Sequence, residues 1–154
     1  NLSSETKIIN VQGDEPLIDP KSIDMTAKLL DTENVDVATL CSKFSNEKEL
    51  MDESNVKVTF SKNYRAQYFS RSIIPHNFTN QSVDYFKHIG IYGYSLKTLW
   101  EFVNLPVSHL EELEKLEQLR FLENNFNIYL NLIEDNSIGV DTEADLKQVR
   151  NFFK

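Results

Sequence analysis

The chain has 154 residues and a formal net charge of −8, with 40% hydrophobic and 26% charged residues. These values are typical of one ordinary globular domain, or of a large part of one. The acidic balance argues against nucleic acid as a partner, because phosphate contacts need clustered Lys and Arg. It fits either plain solubility or a protein that holds a divalent cation through carboxylates.

A single cysteine, Cys41, excludes an internal disulfide and a cysteine-rich zinc site. A reducing cytoplasm is therefore the predicted location. The sequence contains no run of about 18 apolar residues, so no membrane span is predicted. It opens at Asn1, a few residues before a predicted strand, and we expect it to begin within a longer protein.

Apolar runs and capping signals predict alternating strands and helices in the first 55 residues. Asp19 followed by Pro20 is typical of a helix N-cap with proline at the first helical position. The predicted elements, in chain order, are a largely buried strand over 7–11, a turn-rich loop over 12–16, a helix from 20 to about 31, a strand over 35–41 and a short polar helix over 46–53.

The middle of the chain is predicted to be rich in strands. The connection over 61–64 is short enough for a hairpin between its two flanking apolar runs. The predicted elements here are strands over 56–60 and 65–70, a polar loop over 75–82 and a strand over 88–94.

Helix signals return in the last third. Ser95 and Ser108 are typical N-caps, and Pro106 separates the two helices that they begin. Thr142 and Asp145 resemble a capping box for a final helix. The predicted elements are a helix over 95–104, a longer helix over 108–123, a strand over 127–133 and a last helix that ends near 153.

Strands and helices thus alternate at both ends of the chain, with the β-rich segment 56–94 between them. This order predicts an α/β fold with a mostly parallel, Rossmann-like sheet flanked by helices. The middle segment is predicted to form a smaller antiparallel insertion.

Acidic residues follow the first predicted strand and precede the last helix. Gln12 and Asp14 lie just past a strand end, where open α/β sheets bind ligands, and Gly13 would allow close backbone approach. If the loop of Asp141 is a neighbour, Asp14 and Asp141 can share one Mg²⁺, which proteins typically hold with one or two carboxylates. The same residues can also be ordinary turn aspartates and a helix cap.

The helix predicted over 108–123 carries charges on its apolar face. At 100° per residue, Glu117 falls among Leu110 and Phe121, and Arg120 lies beside Leu113. Buried charges are costly unless they are paired or bound, so Glu117 and Arg120 either pair with each other or form a wall of a polar pocket. The other charges of this helix are predicted to face solvent: Glu111, Glu112 and Lys115.

Three further polar residues lie at places where a ligand could bind. His88 and Tyr92 share one face of their strand with Gly90 between them, and a ring nitrogen and a phenol beside a gap can bind hydroxyls. A lone strand histidine is more often structural. Arg71, at the end of a strand, can clamp a carboxylate bidentately or simply be solvated.

Five segments in this order cover nearly the whole chain: Asn-Val-Gln-Gly-Asp-Glu-Pro at 10–16, Tyr-Phe-Ser-Arg at 68–71 with Ile-Pro at 74–75, Lys-His-Ile-Gly-Ile-Tyr-Gly-Tyr at 87–94, Leu-Glu-Gln-Leu-Arg at 116–120 and Gly-Val-Asp-Thr at 139–142. Jointly they resemble the C-terminal part of 3-deoxy-manno-octulosonate (KDO) cytidylyltransferases, or CMP-KDO synthetases.

The resemblance implies a nucleotidyltransferase domain of the nucleotide-diphospho-sugar transferase type, with 56–94 as a sugar-binding or dimerisation insertion. Such enzymes join CTP to KDO with Mg²⁺ and release pyrophosphate, and the CMP-KDO formed enters lipopolysaccharide biosynthesis. The resemblance further implies a homodimer.

The resemblance also implies roles for individual residues. Asp14 and Asp141 would be the catalytic residues that hold Mg²⁺, and Gln12, Gly13 and Asp14 would contact the nucleotide. Arg71 would meet the sugar carboxylate. The remaining residues implied to line the sugar pocket are His88, Tyr92, Glu117 and Gln118.

One family feature has no match in this chain. The family begins with a strand and a loop rich in Arg, Ser, Gly and Lys that binds the CTP phosphates, whereas the stretch before Asn10 has Lys7 as its sole basic residue. We therefore expect this chain to be inactive by itself. Two alternatives stay open: a cytidylyltransferase for another acidic sugar such as a sialic acid, and a non-catalytic sugar-binding or assembly module.

Overall fold

A computed structural model describes residues 2–79, 81–134, 139–140 and 142–152, apart from the side chains of 144 and 145. The described residues form six strands and six helices. In chain order these are β1 (Lys7–Asn10), α1 (Pro20–Leu29), β2 (Val37–Lys43), α2 (Glu47–Met51), β3 (Lys57–Phe60), β4 (Ala66–Ser70), β5 (Phe86–Ser95), α3 (Leu96–Val103), α4 (His109–Glu114), α5 (Gln118–Glu123), β6 (Ile128–Leu132) and α6 (Glu143–Phe152).

Helix starts follow the capping signals of the sequence. The side chain of Asp19 accepts a hydrogen bond from the Lys21 amide at 2.9 Å, and Pro20 is the first residue of α1. Ser95 caps α3 in the same way, through the Thr98 amide at 3.0 Å. The Asp145 side chain, predicted to cap α6, lies outside the described residues. Within the described parts of the chain, no helix is both long and apolar enough to cross a bilayer.

The six strands form one sheet in the order β4-β3-β5-β2-β6, with β1 paired to the end of β5. The predicted α/β class is confirmed, but the sheet is mixed rather than mostly parallel. Among the described strands only β2 and β6 pair in parallel, and β5 runs antiparallel to β1, β2 and β3. The continuous apolar run of a buried strand indicates burial on both faces but not strand direction, which explains the difference.

The predicted hairpin over 56–70 is formed by β3 and β4, which pair antiparallel. Both strands belong to the same sheet as β5. A sugar-binding or dimerisation role for the segment 56–94 stays a prediction.

Both faces of the sheet are covered by side chains. Val37 and Cys41 of β2 pack in the larger core cluster with residues of β4, α5 and β6. Leu40 lies on the opposite face and packs in a smaller cluster with Ile91 and, at its margin, Ile23 of α1. Nearly every β2 residue is buried as a result, whereas β1, predicted to be largely buried, is half-exposed along one edge of the sheet.

The helix predicted over 108–123 is two helices in the structure. It is interrupted at Lys115, whose φ of 56° is left-handed, and α5 begins only at Gln118. The helical phase is lost across this break, so Leu113, predicted to face the core, is 67% exposed.

Gly93 lies where α1 crosses β1 and β5, and it leaves no room for a side chain. A Cβ atom there would lie 3.0 Å from side-chain atoms of Ile9 and Thr26. We expect Gly93→Ala to lower the free energy of unfolding, measured in urea, by about 1–3 kcal/mol because the helix must move outward. A Cβ on Gly13 would meet no atom within 4 Å, so Gly13→Ala should change stability by less than about 0.5 kcal/mol. If Gly93→Ala and Gly13→Ala lowered the free energy of unfolding equally, close packing at Gly93 would be contradicted.

Candidate substrate-binding site

A cleft of about 1080 Å³ opens beyond the end of β1 and runs along β5. Its walls come from the loop after β1, the ends of β2 and β4, the α2–β3 connection and the start of α5. The cleft brings together residues that the sequence analysis singled out separately: Gln12, Asp14, Arg71, His88, Tyr92, Glu117 and Gln118.

The two acidic loops meet at one end of this cleft. The amide of Val140 donates a hydrogen bond to the Asp14 carbonyl at 2.8 Å, and a Cβ on Gly139 would lie 3.6 Å from a Glu15 carboxylate oxygen. The loop that leads to Asp141 therefore contacts the loop of Asp14. Asp141 itself lies outside the described residues.

The chemistry of this end suits a hard cation. The Asp14 and Glu15 carboxylates border the cleft, and such oxygen donors are the ligands that Mg²⁺ prefers. The described residues contain no group of three or more His, Cys, Asp or Glu side chains placed to hold a metal. A Mg²⁺ ion here would thus depend on one or two carboxylates together with ligands from the substrate and water.

His88 is held on the floor of the cleft by a buried hydroxyl. Thr39 Oγ1 lies 2.9 Å from His88 Nε2 and donates to the Ile91 carbonyl at 2.7 Å. With its proton used in that way, the hydroxyl accepts from Nε2–H, which leaves Nδ1 as the acceptor of the ring. Burial lowers the pKa of His88 to about 3, so the imidazole is neutral near pH 7.

Tyr92 lies beside His88, with 5.3 Å between the ring centroids. Burial raises the pKa of Tyr92, and the negative charge of Glu117 raises it further, so the phenol keeps its proton. Gly90 lies between the two residues on β5. The side chain of Gln12 lies over Gly90, 3.6 Å from where a Cβ on that glycine would be. The residues implied to bind nucleotide and sugar are therefore neighbours.

The Arg71 side chain is not free in solvent, because each of its three guanidinium nitrogens donates a hydrogen bond to the protein. Its guanidinium donates to the carbonyls of Glu114 at 2.9 Å, Glu53 at 3.0 Å and Lys115 at 3.5 Å. These bonds connect two walls of the cleft and hold the left-handed turn at Lys115. A guanidinium has five N–H donors, so two stay available to a ligand. Carboxylate binding by Arg71 stays a prediction.

The start of α5 presents two polar side chains to the cleft. Gln118 is 5% exposed, and no hydrogen bond among the described residues uses its side-chain amide. Glu117 is exposed where it borders the cleft. The pairing of Glu117 with Arg120 that the sequence allowed is not formed, because Arg120 binds a different carboxylate.

That carboxylate is Glu111, which was predicted to face solvent and is instead 7% exposed. Arg120 Nε and Nη2 bind its two oxygens at 2.7 and 2.5 Å, and the guanidinium stacks on Phe102 at 4.5 Å. The break at Lys115 explains the error, since a continuous helix would turn Glu111 outward. This pair fixes α4 to α5 and so holds Glu117 and Gln118 at the cleft.

Two buried polar residues next to the cleft went unrecognised in the sequence. They are Thr39, which contacts His88, and Lys57, which binds the carbonyls of Asp52 and Arg71, and both lie inside apolar strands. A polar residue within an apolar strand is the sequence signal that could have identified them. Such a residue is buried and needs a hydrogen-bond partner, which is often a residue of the site.

The Glu111–Arg120 pair generates a prediction on stability. The hydrogen bond from Arg120 lowers the pKa of Glu111 in the folded protein. We expect Glu111→Gln to lower the free energy of unfolding near pH 7 by about 3 kcal/mol, because it leaves a buried guanidinium without its counter-charge.

The pH dependence follows from the direction of that shift. Because the folded pKa is the lower one, the pair stabilises fully above the unfolded pKa and is lost as the pH falls through the folded value. The difference between wild type and Glu111→Gln should therefore shrink in acid, as measured by urea unfolding at several pH values. The matched control is Glu112→Gln, an exposed neighbour that should change stability by less than about 0.5 kcal/mol. If the difference in unfolding free energy between wild type and Glu111→Gln stayed constant with pH, the stabilising role of the Glu111–Arg120 pair would be contradicted.

Comparisons with known proteins agree on one family. The sequence profile described as "Cytidylyltransferase" matches residues 1–133. A 3-deoxy-manno-octulosonate cytidylyltransferase of Thermodesulfovibrio yellowstonii is 46% identical over 154 residues, covering 96% of this chain and 60% of the relative. An 8-amino-3,8-dideoxy-manno-octulosonate cytidylyltransferase of a Shewanella species is 42% identical over 147 residues, covering 94% and 60%.

Solved structures show the same likeness. A structure of CMP:2-keto-3-deoxy-manno-octonic acid synthetase complexed with CTP is 38% identical, with a TM-score of 0.89, and the match covers 96% of this chain and 61% of that one. A glucose-1-phosphate thymidylyltransferase structure from Bacillus anthracis shares the fold at 12% identity and a TM-score of 0.60. The chain thus spans about 60% of the length of the curated relatives it matches.

Proposed function

The chain belongs to the cytidylyltransferase family, and we propose that the protein containing it joins CTP to KDO, forming CMP-KDO and pyrophosphate for lipopolysaccharide biosynthesis. The observation that carries the proposal is the convergence of Gln12, Asp14, His88, Tyr92 and Gln118 on one cleft. A CTP-dependent reaction and a reduced, buried Cys41 both fit a cytoplasmic location.

The proposed sugar end of the cleft uses neutral hydrogen-bonding groups. His88 Nδ1 accepts a bond from a sugar hydroxyl, Tyr92 donates from its phenol, and the Gln118 amide offers both a donor and an acceptor. Because these side chains carry no positive charge, they can bind hydroxyls without competing for the sugar carboxylate. The two spare N–H groups of Arg71 are the proposed partners of that carboxylate.

The proposed reaction end lies at the acidic loops. The anomeric hydroxyl of the sugar forms a bond to the α-phosphorus of CTP and loses its proton to solvent. The bond between that phosphorus and the oxygen that bridges to the β-phosphate breaks, so pyrophosphate leaves. Asp14 and Asp141 would hold Mg²⁺, which supplies charge neutralisation on the phosphates when bound. Gln12 and the backbone at Gly13 orient the nucleotide beside the sugar, which is a contribution of positioning.

A second sugar is favoured by one comparison. Because relatives named for 8-amino-3,8-dideoxy-manno-octulosonate are 42% identical to this chain, that amino sugar is the alternative substrate. A panel of KDO, the 8-amino sugar and a sialic acid, offered with CTP to the complete gene product, separates these activities. Sugar binding without CTP binding or turnover would instead indicate a non-catalytic module.

We further propose that the protein is a homodimer that contacts its copy through the segment 56–94. The support for this is the family resemblance. Light scattering of the complete protein measures the oligomeric state, and a monomer at micromolar concentration would exclude it.

Asp14 provides the test of the metal assignment. In the complete protein, Asp14→Asn should reduce kcat/KM by roughly 100-fold and raise the Mg²⁺ concentration needed for half-maximal rate, because one anionic oxygen ligand is lost. Pyrophosphate release gives the rate. The control is Asp24→Asn, which alters an exposed aspartate of α1 outside the cleft and should leave both values unchanged. If Asp14→Asn keeps the wild-type rate, the metal assignment is wrong.

Tyr92 tests the sugar end. Tyr92→Phe removes only the hydroxyl and should raise the KM for the sugar about tenfold, the equivalent of one lost hydrogen bond, while the KM for CTP stays constant. Initial rates at varied sugar and at varied CTP separate the two constants. Tyr64→Phe, at an exposed tyrosine, should change neither. A rise in the KM for CTP alone would place Tyr92 at the nucleotide instead.

A further inference from the structure

Lys57 of β3 is a fully buried cation whose role the proposed chemistry leaves unexplained. Its side chain is 0% exposed, and Nζ donates to the Asp52 carbonyl at 2.7 Å and to the Arg71 carbonyl at 2.9 Å. The ring of Phe44 lies 5.9 Å from the ammonium. Burial lowers the pKa of Lys57, and the negative charges of Asp52 and Glu53 oppose that effect.

Burying a charged side chain at this position costs free energy. Replacing a buried ionic group by an apolar side chain of similar volume is often neutral or stabilising, so stability alone is a weak reason for a lysine here. Both acceptors are backbone carbonyls, and both belong to the rim of the cleft. Lys57 therefore connects the α2–β3 connection to the end of β4.

One of those carbonyls belongs to Arg71, which is held from three sides. Lys57 binds its carbonyl, the Glu114 carboxylate accepts from its amide at 2.9 Å, and its guanidinium spans to Glu53 and Glu114. The Glu114 carboxylate also accepts from the Ser70 hydroxyl at 2.7 Å. These bonds fix the backbone at residue 71, and the guanidinium extends from that fixed position across the cleft wall.

We propose that Lys57 is a positioning residue for the sugar pocket, holding the Arg71 backbone and the 52–56 wall where an acidic sugar binds. This inference rests on the proposed function, because it assigns Lys57 to the sugar end of the same cleft. Lys57 does not contact the sugar and acts through Arg71. It leaves the nucleotide end, formed by Gln12 and Asp14, unaffected.

The experiment uses steady-state kinetics of the complete gene product with CTP, KDO and Mg²⁺. Lys57→Met should raise the KM for KDO about tenfold, since it removes the charged hydrogen bond that holds the Arg71 carbonyl and the one that holds the Asp52 carbonyl of the 52–56 wall, while kcat and the KM for CTP change less than twofold. The matched control is Lys62→Met, at an exposed lysine of the β3–β4 turn, which should match wild type in all three constants.

A double-mutant cycle asks whether Lys57 acts through Arg71. Arg71→Ala should raise the KM for KDO, and adding Lys57→Met to it should raise that KM no further. Fully additive effects, or a Lys57→Met variant with the wild-type KM for KDO, would overturn the proposal. A parallel fall in kcat and rise in both KM values would also overturn it, because that pattern indicates general loosening of the fold.

A second measurement separates this inference from the proposed function. Hydrogen exchange of the backbone over 52–56 and at Arg71 should quicken in Lys57→Met and stay unchanged in Lys62→Met. If wild type turns over no octulosonate, the proposed function fails, and exchange alone decides whether Lys57 holds the wall. If circular dichroism shows Lys57→Met unfolded, Lys57→Gln replaces it, and failure of both to fold assigns Lys57 to folding and overturns the proposal.

Discussion

The left-handed turn at Lys115 is the constraint on which the cleft depends. It separates α4 from α5, so that Glu111 turns inward to Arg120 while Glu117 and Gln118 face the cleft. A residue other than glycine is strained in this conformation, and the surrounding bonds must hold it there. The guanidinium of Arg71 provides that support, because it binds carbonyls on both sides of the turn.

The cleft has two electrostatically different ends. Toward β5 it presents His88 and Tyr92, both kept neutral by burial. Toward the loop after β1 it presents the carboxylates of Asp14 and Glu15. Neutral hydrogen-bonding side chains at one end and carboxylates suited to a cation at the other are compatible with the proposed pair of substrates, a polyhydroxy acid and a metal-bound triphosphate.

Local signals predicted much of this molecule, and long-range geometry accounts for what they missed. The caps at Asp19 and Ser95 and the hairpin over 56–70 follow from neighbouring residues, so they were predictable. The direction of β5 and the pairing of Glu111 with Arg120 depend on which segments meet in three dimensions, and the spacing of residues within one helix or strand carries no information about that. The residues that line the cleft were singled out because five motifs resembled one family, whereas Thr39 and Lys57 lie behind the cleft wall and carry no motif.

Thr39 shows how the strand interior shapes the site. Its hydroxyl is buried within β2 and holds both the ring of His88 and the carbonyl of Ile91 on the neighbouring strand. The imidazole is thereby locked in one tautomer and one rotation by the sheet itself. The entropy of ordering this group is lost during folding and not at each encounter with a ligand, so the floor of the cleft is preorganised.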